Sequence, residues 1–240
     1  MACPATSIHV LAVAGSLRRD SYNRQLLNAA AQMAPPQMIL KVHDTIADIP
    51  MFDEDLEATG ERGLGGVARL REAIAAADAI LIATPEYNQS LPGVLKNTID
   101  WLSRSGAAGP AFAGKPVAIT GATVGPWGTR LAQAQLRHAL TAVGALTMPT
   151  PQLFIADAPR SFDVRQGNLD GSMELRLSNF LLAFEKWIRR LRPAVRPTDQ
   201  TEAGPRYEKH NCPRAAFFHI QPPSQWDQAP RAAATLHGGE

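Results

Sequence analysis

Cysteine is almost missing from this chain: 240 residues hold two, Cys3 and Cys212. They lie near opposite ends and neither belongs to a CxxC pair, so there is no sign of a disulfide framework and a reducing compartment, the cytoplasm, is expected. An excess of charge of one sign is missing too. Lys and Arg number 24 against 22 Asp and Glu, a formal net charge of +2. With no basic stripe, electrostatic capture of nucleic acid is not expected. No apolar run reaches the length of a membrane span, so no membrane partner is expected either. The opening "MACPATS" has no charged segment followed by a separate apolar one, and no signal peptide is read there. Glycine is scarce where a dinucleotide fingerprint would need it: the loop after the first apolar run offers Gly15 alone where G-x-G-x-x-G requires three. "GPAFAGK" (109–115) satisfies GxxxxGK, but Pro116 follows instead of Ser or Thr and a strand follows instead of a helix. It is no P-loop.

What is present is alternation. "IHVLAVAGS" (8–16) reads as a buried strand and "YNRQLLNAAAQM" (22–33) as a helix stopped by Pro35-Pro36. "MILKVHD" (38–44) is a second strand, and 46–63, rich in Pro, Gly and acids, is predicted to be a surface loop. A helix over 64–78, a strand over 79–85, a helix over 93–104, a strand over 116–122 and a helix over 129–144 follow. "ALTMP" and "QLFIA" supply a fifth strand, and a long helix covers 173–192. Such alternation predicts an α/β domain: a doubly wound five-stranded parallel sheet of order 2-1-3-4-5, between helices on both faces in three layers. Ligands bind these sheets at the carboxyl ends of the strands where the order reverses, here between strands 1 and 3.

The domain is placed at 1–193. Residues 194–240 hold six prolines and no apolar period, which predicts a disordered tail or one draped on a neighbouring subunit. His210, Cys212 and His219 fit no standard zinc spacing, and no metal is expected.

Three loops leave the same sheet edge. In "AGSLRRDSYN" (14–23), Ser16, Arg18, Ser21 and Asn23 precede or open a helix, whose free N–H groups, with hydroxyls and a guanidinium, suit a phosphate monoester. Ser21 alone would be an ordinary cap, but that leaves Ser16 and Arg18 unexplained. In "TPEYNQSLPGVLKNTIDW" (84–101), Pro85 stiffens the exit from strand 3. The backbone amides of Glu86, Tyr87 and Asn88 can then face the edge of a planar heterocycle, with Tyr87 as apolar contact. Glu86 by itself reads as a solvent-facing carboxylate or a subunit ion pair rather than a proton carrier. "GATVGPWGTRLAQAQLR" (121–137) brings Gly121, Gly125, Gly128 and Thr123 to the same edge.

These stretches, with "GKPVAI", resemble in order and spacing the NAD(P)H-dependent FMN reductase family, which includes bacterial quinone and chromate reductases and some azoreductases. The resemblance covers roughly residues 8–192. It implies a flavodoxin-like fold with FMN as cofactor and NADPH or NADH as electron donor. It further implies a small-molecule acceptor (a quinone, free flavin, azo compound or metal oxyanion such as chromate) and a homodimer or homotetramer. By the same resemblance Ser16, Arg18, Ser21, Tyr22 and Asn23 match the phosphate loop. Pro85, Glu86, Tyr87 and Asn88 match the loop that holds the isoalloxazine, and Ala122, Thr123 and Gly125 the third, more variable loop. No catalytic side chain is named, since the cofactor carries the redox chemistry. The main rival is a flavodoxin-like electron carrier without its own NAD(P)H turnover. Such carriers are typically acidic, and +2 stands against one here. A colourless binding module on the same scaffold, and a relative specialised for an arsenic compound, are further alternatives.

Overall fold

Strand 1 shows how both faces of the sheet come to be buried. Ile8, Val10, Ala12 and Ala14 turn to one face, Leu11 and Val13 to the other, and each set joins a separate apolar cluster. The computed structural model describes residues 7–58, 63–104, 109–163 and 168–191. These belong to one compact unit, 1–194. A second unit, 195–240, and with it what was predicted for the tail, lies outside the described residues.

In chain order the elements are β1 (Ile8–Ala14), α1 (Tyr22–Gln32), β2 (Met38–Val42), α2 (Glu54–Ala58), α3 (Gly65–Ala76), β3 (Ala79–Ala83), α4 (Gly93–Ser103) and β4 (Pro116–Ala122). Then come α5 (Arg130–Ala142), β5 (Leu146–Thr147), β6 (Leu153–Ile155), α6 (Ala158–Ser161), β7 (Phe162–Asp163), β8 (Asn168–Leu169) and α7 (Gly171–Leu191). The main sheet is parallel, in the order β2-β1-β3-β4-β5, the flavodoxin-like order. The fifth position differs from the expectation of one strand. β5 pairs with Pro116–Val117 and β6 with Thr120–Ala122, both along β4. Between them Pro149 and Pro151 have no N–H to give a ladder, so the strand is interrupted. The short antiparallel pair β7–β8 stands off the sheet and had no signal in the sequence.

The two layers are packed differently. On the α1/α7 side the strands present small residues, Ala12, Ala14, Ala79, Ala83 and Ala118. Phe180 and Phe184 of α7 fill the space they leave. On the other side Val13, Ile80, Ile82 and Ile119 meet Leu70, Ile74, Leu95, Ile99 and Leu136 from α3, α4 and α5. Each large apolar side chain taken out of water in these layers contributes about 1.5–3 kcal/mol.

The 46–63 segment is more than a surface loop. Ile46 and Ile49 are buried, and α2 forms within it. Asn97 of α4 accepts from the Phe52 N–H (2.7 Å) and donates to the Pro50 carbonyl (2.8 Å), which also receives the Trp101 indole N–H (2.8 Å). The polar residues of "LKNTIDW" thus fasten the loop after β2. α7 starts on Asp170, whose carboxylate accepts from the Ser172 hydroxyl (2.6 Å) and the Met173 N–H (3.1 Å). The Ser172 hydroxyl, then the Met173 N–H, hold that carboxyl below its ordinary 3.8.

Candidate functional site

At the carboxyl edge of β1, β3 and β4 the three predicted loops enclose one cleft of ≈ 290 Å³. Ser16, Arg18, Ser21, Tyr22, Asn23, Pro85, Glu86, Tyr87, Ala122 and Thr123 line it, together with Val124, which was not predicted. Asn88 and Gly125 do not line it.

One wall is the start of α1. Ser21 caps the helix, its hydroxyl accepting from the Asn23 N–H (3.2 Å), while its carbonyl takes the Gln25 N–H (3.0 Å). This leaves the Tyr22 and Arg24 N–H groups without an acceptor among the described residues. Buried Ser16 lines the same cleft, and the Arg18 guanidinium donates to the Asp20 carbonyl (2.7 Å) and stands 5.5 Å from the Tyr22 ring centre. Open helix N–H groups, hydroxyls and a cation meet at this end, and it suits an anion.

The Asn23 side chain has a task within the fold that was not predicted. Its amide is buried, donates to the Ala122 carbonyl (2.9 Å) and accepts from the Ala122 N–H (2.9 Å). The reason lies in the ladder. Thr84 N–H donates to the Thr120 carbonyl (2.9 Å), and two residues on, Ala122 points its N–H and C=O to the same side. By then β3 has left the sheet through Pro85, so the Asn23 side chain satisfies both groups in place of a strand. It clamps loop 1 to loop 3.

The second loop is also more occupied than predicted. Tyr87 and Ser90 exchange main-chain hydrogen bonds (3.0 Å each) around Asn88 and Gln89, both at positive φ (50° and 62°), a two-residue turn with both central residues left-handed. The Tyr87 N–H is therefore committed to Ser90 and is not available to a heterocycle. Asn88 sits at the exposed tip of the turn. The Glu86 N–H has no acceptor among the described residues.

Glu86 is not a free surface carboxylate, and among the described residues it forms no ion pair. It accepts from the Leu131 and Ala132 N–H groups (2.9 and 3.0 Å) and caps α5, whose own N-cap Thr129 provides no side-chain bond. Gln135 of α5 adds bonds to Ser90 (2.5 Å) and to the Gln89 carbonyl (3.1 Å), so loop 2 is laced to the helix that follows loop 3. Loop 3 is held in turn by Thr123 N–H to Ile155 (3.0 Å) and Asp157 N–H to Gly125 (3.1 Å). Sequence reading missed these clamps, because each links residues far apart in the chain, from 32 positions for Thr123 and Ile155 to 99 for Asn23 and Ala122. Among the described residues there is no cluster of His, Cys, Asp and Glu able to hold a metal ion, and no helix is long and apolar enough to cross a membrane.

A family model of NADPH-dependent FMN reductases matches residues 8–160. An NAD(P)H-dependent FMN reductase of Pseudomonas aeruginosa is 43% identical over 185 residues, 77% of this chain and 97% of that protein. A 2-hydroxy-1,4-benzoquinone reductase of a Burkholderia species is 36% identical over 184 residues, 76% of this chain and 97% of its own length. Among solved structures, the flavoenzyme NAD(P)H:(acceptor) oxidoreductase FerB of Paracoccus denitrificans superposes with a TM-score of 0.68 at 34% identity. That match covers 76% of this chain and 98% of FerB.

Proposed function

The chain belongs to the NADPH-dependent FMN reductase family, and from that premise we propose that it passes electrons from a nicotinamide, through FMN held in the three-loop cleft, to a quinone. It is an NAD(P)H-dependent oxidoreductase with FMN as cofactor. The observation that carries the site assignment is the asymmetry of the cleft. One end gathers the open Tyr22 and Arg24 N–H groups, Ser16, Ser21 and Arg18, as a phosphate requires. The other is walled by Pro85, Tyr87, Ala122 and Val124, as a flat aromatic ring requires.

The residues fit the group. When bound, FMN supplies the two-electron chemistry of accepting hydride and giving reducing equivalents to the acceptor. The protein's part is placement. Arg18 and the first turn of α1 hold the phosphate, and the Tyr87 turn is kept in place by Glu86 and Gln135. The Glu86 N–H is a donor to the ring edge. Glu86, the one carboxylate lining the cleft among the described residues, is drawn onto α5, which limits its repulsion of a reduced, electron-rich ring. No side chain is needed as an acid or base.

A quinone is the acceptor supported by the reductase relatives, and exposed Tyr87 offers it a flat apolar contact. Leu175 and Leu182, exposed and seven residues apart on α7, support burial against a second copy in a homodimer or homotetramer. Cytoplasmic residence is supported by the near absence of cysteine.

Purified protein reconstituted with FMN is expected to be yellow and to oxidise NADPH or NADH with a benzoquinone, well above free FMN and with no partner protein. Turnover no faster than free FMN would sink the enzyme assignment in favour of a carrier. In the same preparation Arg18→Ala is expected to weaken FMN binding by about 1.5–3 kcal/mol, the range for a hydrogen bond to a charged group. An unchanged fluorescence titration would remove Arg18 from the phosphate site.

A further inference from the structure

Just outside the third loop two guanidinium groups meet at one residue. Arg130, the first residue of α5, lies 4.5 Å from the ring centre of Phe154. Arg176 of α7 donates to the carbonyl of the same Phe154 (3.0 Å). Among the described residues neither makes an ion pair; Asp170 feels the charge of Arg176 without pairing to it. Two cations on one residue, one at its ring and one at its carbonyl, in a chain whose net charge is only +2, are unlike the paired arginines elsewhere, such as Arg104 with Glu57 or Arg189 with Glu185.

The position ties this pair to the cleft. Arg130 precedes Leu131, whose N–H is bonded to Glu86 of the cleft wall. Phe154 precedes Ile155, whose carbonyl holds Thr123 of the opposite wall. The backbone at Gly128 (φ 68°) packs so closely on Phe154 that an added Cβ would lie 3.0 Å from the Phe154 Cβ. On the other side of Gly128 is Trp127, 76% exposed. An exposed indole three residues before Arg130, on the loop that packs on Phe154, offers stacking to a purine, and the two arginines offer fork-shaped donors to a phosphate.

We propose that Arg130 and Arg176 bind the 2′-phosphate of NADPH, with Trp127 as the platform for its adenine, and so set a preference for NADPH over NADH. This rests on the reductase function proposed above. With the nicotinamide in the cleft, the adenosine half leaves over loop 3 and reaches the arginine pair. The 2′-phosphate is a dianion that Arg matches bidentately, and NADH, lacking it, leaves the pair without a ligand.

The test uses full-length protein loaded with FMN. Wild type is expected to show a larger kcat/KM for NADPH than for NADH, and to bind 2′,5′-ADP more tightly than 5′-AMP by calorimetry. Arg130→Ala with Arg176→Ala should raise the KM for NADPH at least tenfold and leave that for NADH within about twofold, with kcat and the melting temperature kept. Arg130→Lys in the Arg176 background should recover part of the loss. Equal binding of 2′,5′-ADP and 5′-AMP by wild type, or an NADPH to NADH ratio unchanged in the double variant, would overturn the assignment. Failure of the reductase reading itself looks different: no flavin retained, and no oxidation of either nicotinamide.

Discussion

Gly121→Ala is expected to destabilise the protein by about 3 kcal/mol or more, the upper end of what overpacking a well-filled interior costs. A Cβ at this position would overlap the Thr84 carbonyl oxygen and the Thr129 hydroxyl. Neither can yield cheaply. Thr84 is the last residue before Pro85 and its N–H is bonded to Thr120, while Thr129 is fully buried at the start of α5 and accepts from Gln133 (2.9 Å). Moving either displaces loop 2 or loop 3, so FMN affinity should fall along with stability. In a thermal melt the loss reads as roughly 6–12 °C for a domain of this size. Gly93→Ala is the control: it opens α4, and an added Cβ meets nothing within 4 Å. That variant should be as stable as wild type or slightly more so, since Ala is the better helix former. A Gly121→Ala protein melting with wild type would show that the two loops are not packed as described.

Asn23→Ala is expected to lose about 2–6 kcal/mol, because it strands two buried main-chain groups at about 1–3 kcal/mol each, the N–H and C=O of Ala122. Here the apoprotein decides between roles. A residue that only contacts the FMN phosphate would, when removed, weaken binding and leave the melting of the flavin-free protein unchanged. A clamp lowers the melting temperature of the flavin-free protein as well. Asn23→Asp should also destabilise: the carboxylate still accepts from Ala122 N–H but sets an oxygen against the Ala122 carbonyl. Flavin-free Asn23→Ala melting with wild type would restore Asn23 to the phosphate site and remove the clamp.

Asn23 and Glu86 show where reading the chain succeeds and where it stops. Both were picked out as cofactor contacts, and both line the cleft. Their side chains, however, hold loops together: Asn23 joins loop 1 to loop 3, and Glu86 joins loop 2 to α5. Tyr87 was assigned an amide facing the heterocycle, but its N–H closes the turn on Ser90. The fifth strand was visible as two apolar pieces, and the structure sets both along β4. The anchoring of 46–52, with Ile46 and Ile49 buried, was hidden, because its hold on the fold comes from Asn97 and Trp101, some 45 to 51 positions away.

By itself the sequence determined the strand-helix alternation, the parallel sheet with its switch point, and which three loops share an edge. Those follow from the period of apolar residues and from where Gly and Pro break it, both local properties of the chain. Tertiary structure alone decided which polar groups at that edge stay open for a ligand and which are occupied by the protein. The Ala122 main chain takes the Asn23 amide because β3 has already turned away, and α5 takes the Glu86 carboxylate because its own cap is empty. A hydrogen bond depends on what lies within about 3 Å in space, and no spacing along the chain encodes that for residues 99 positions apart.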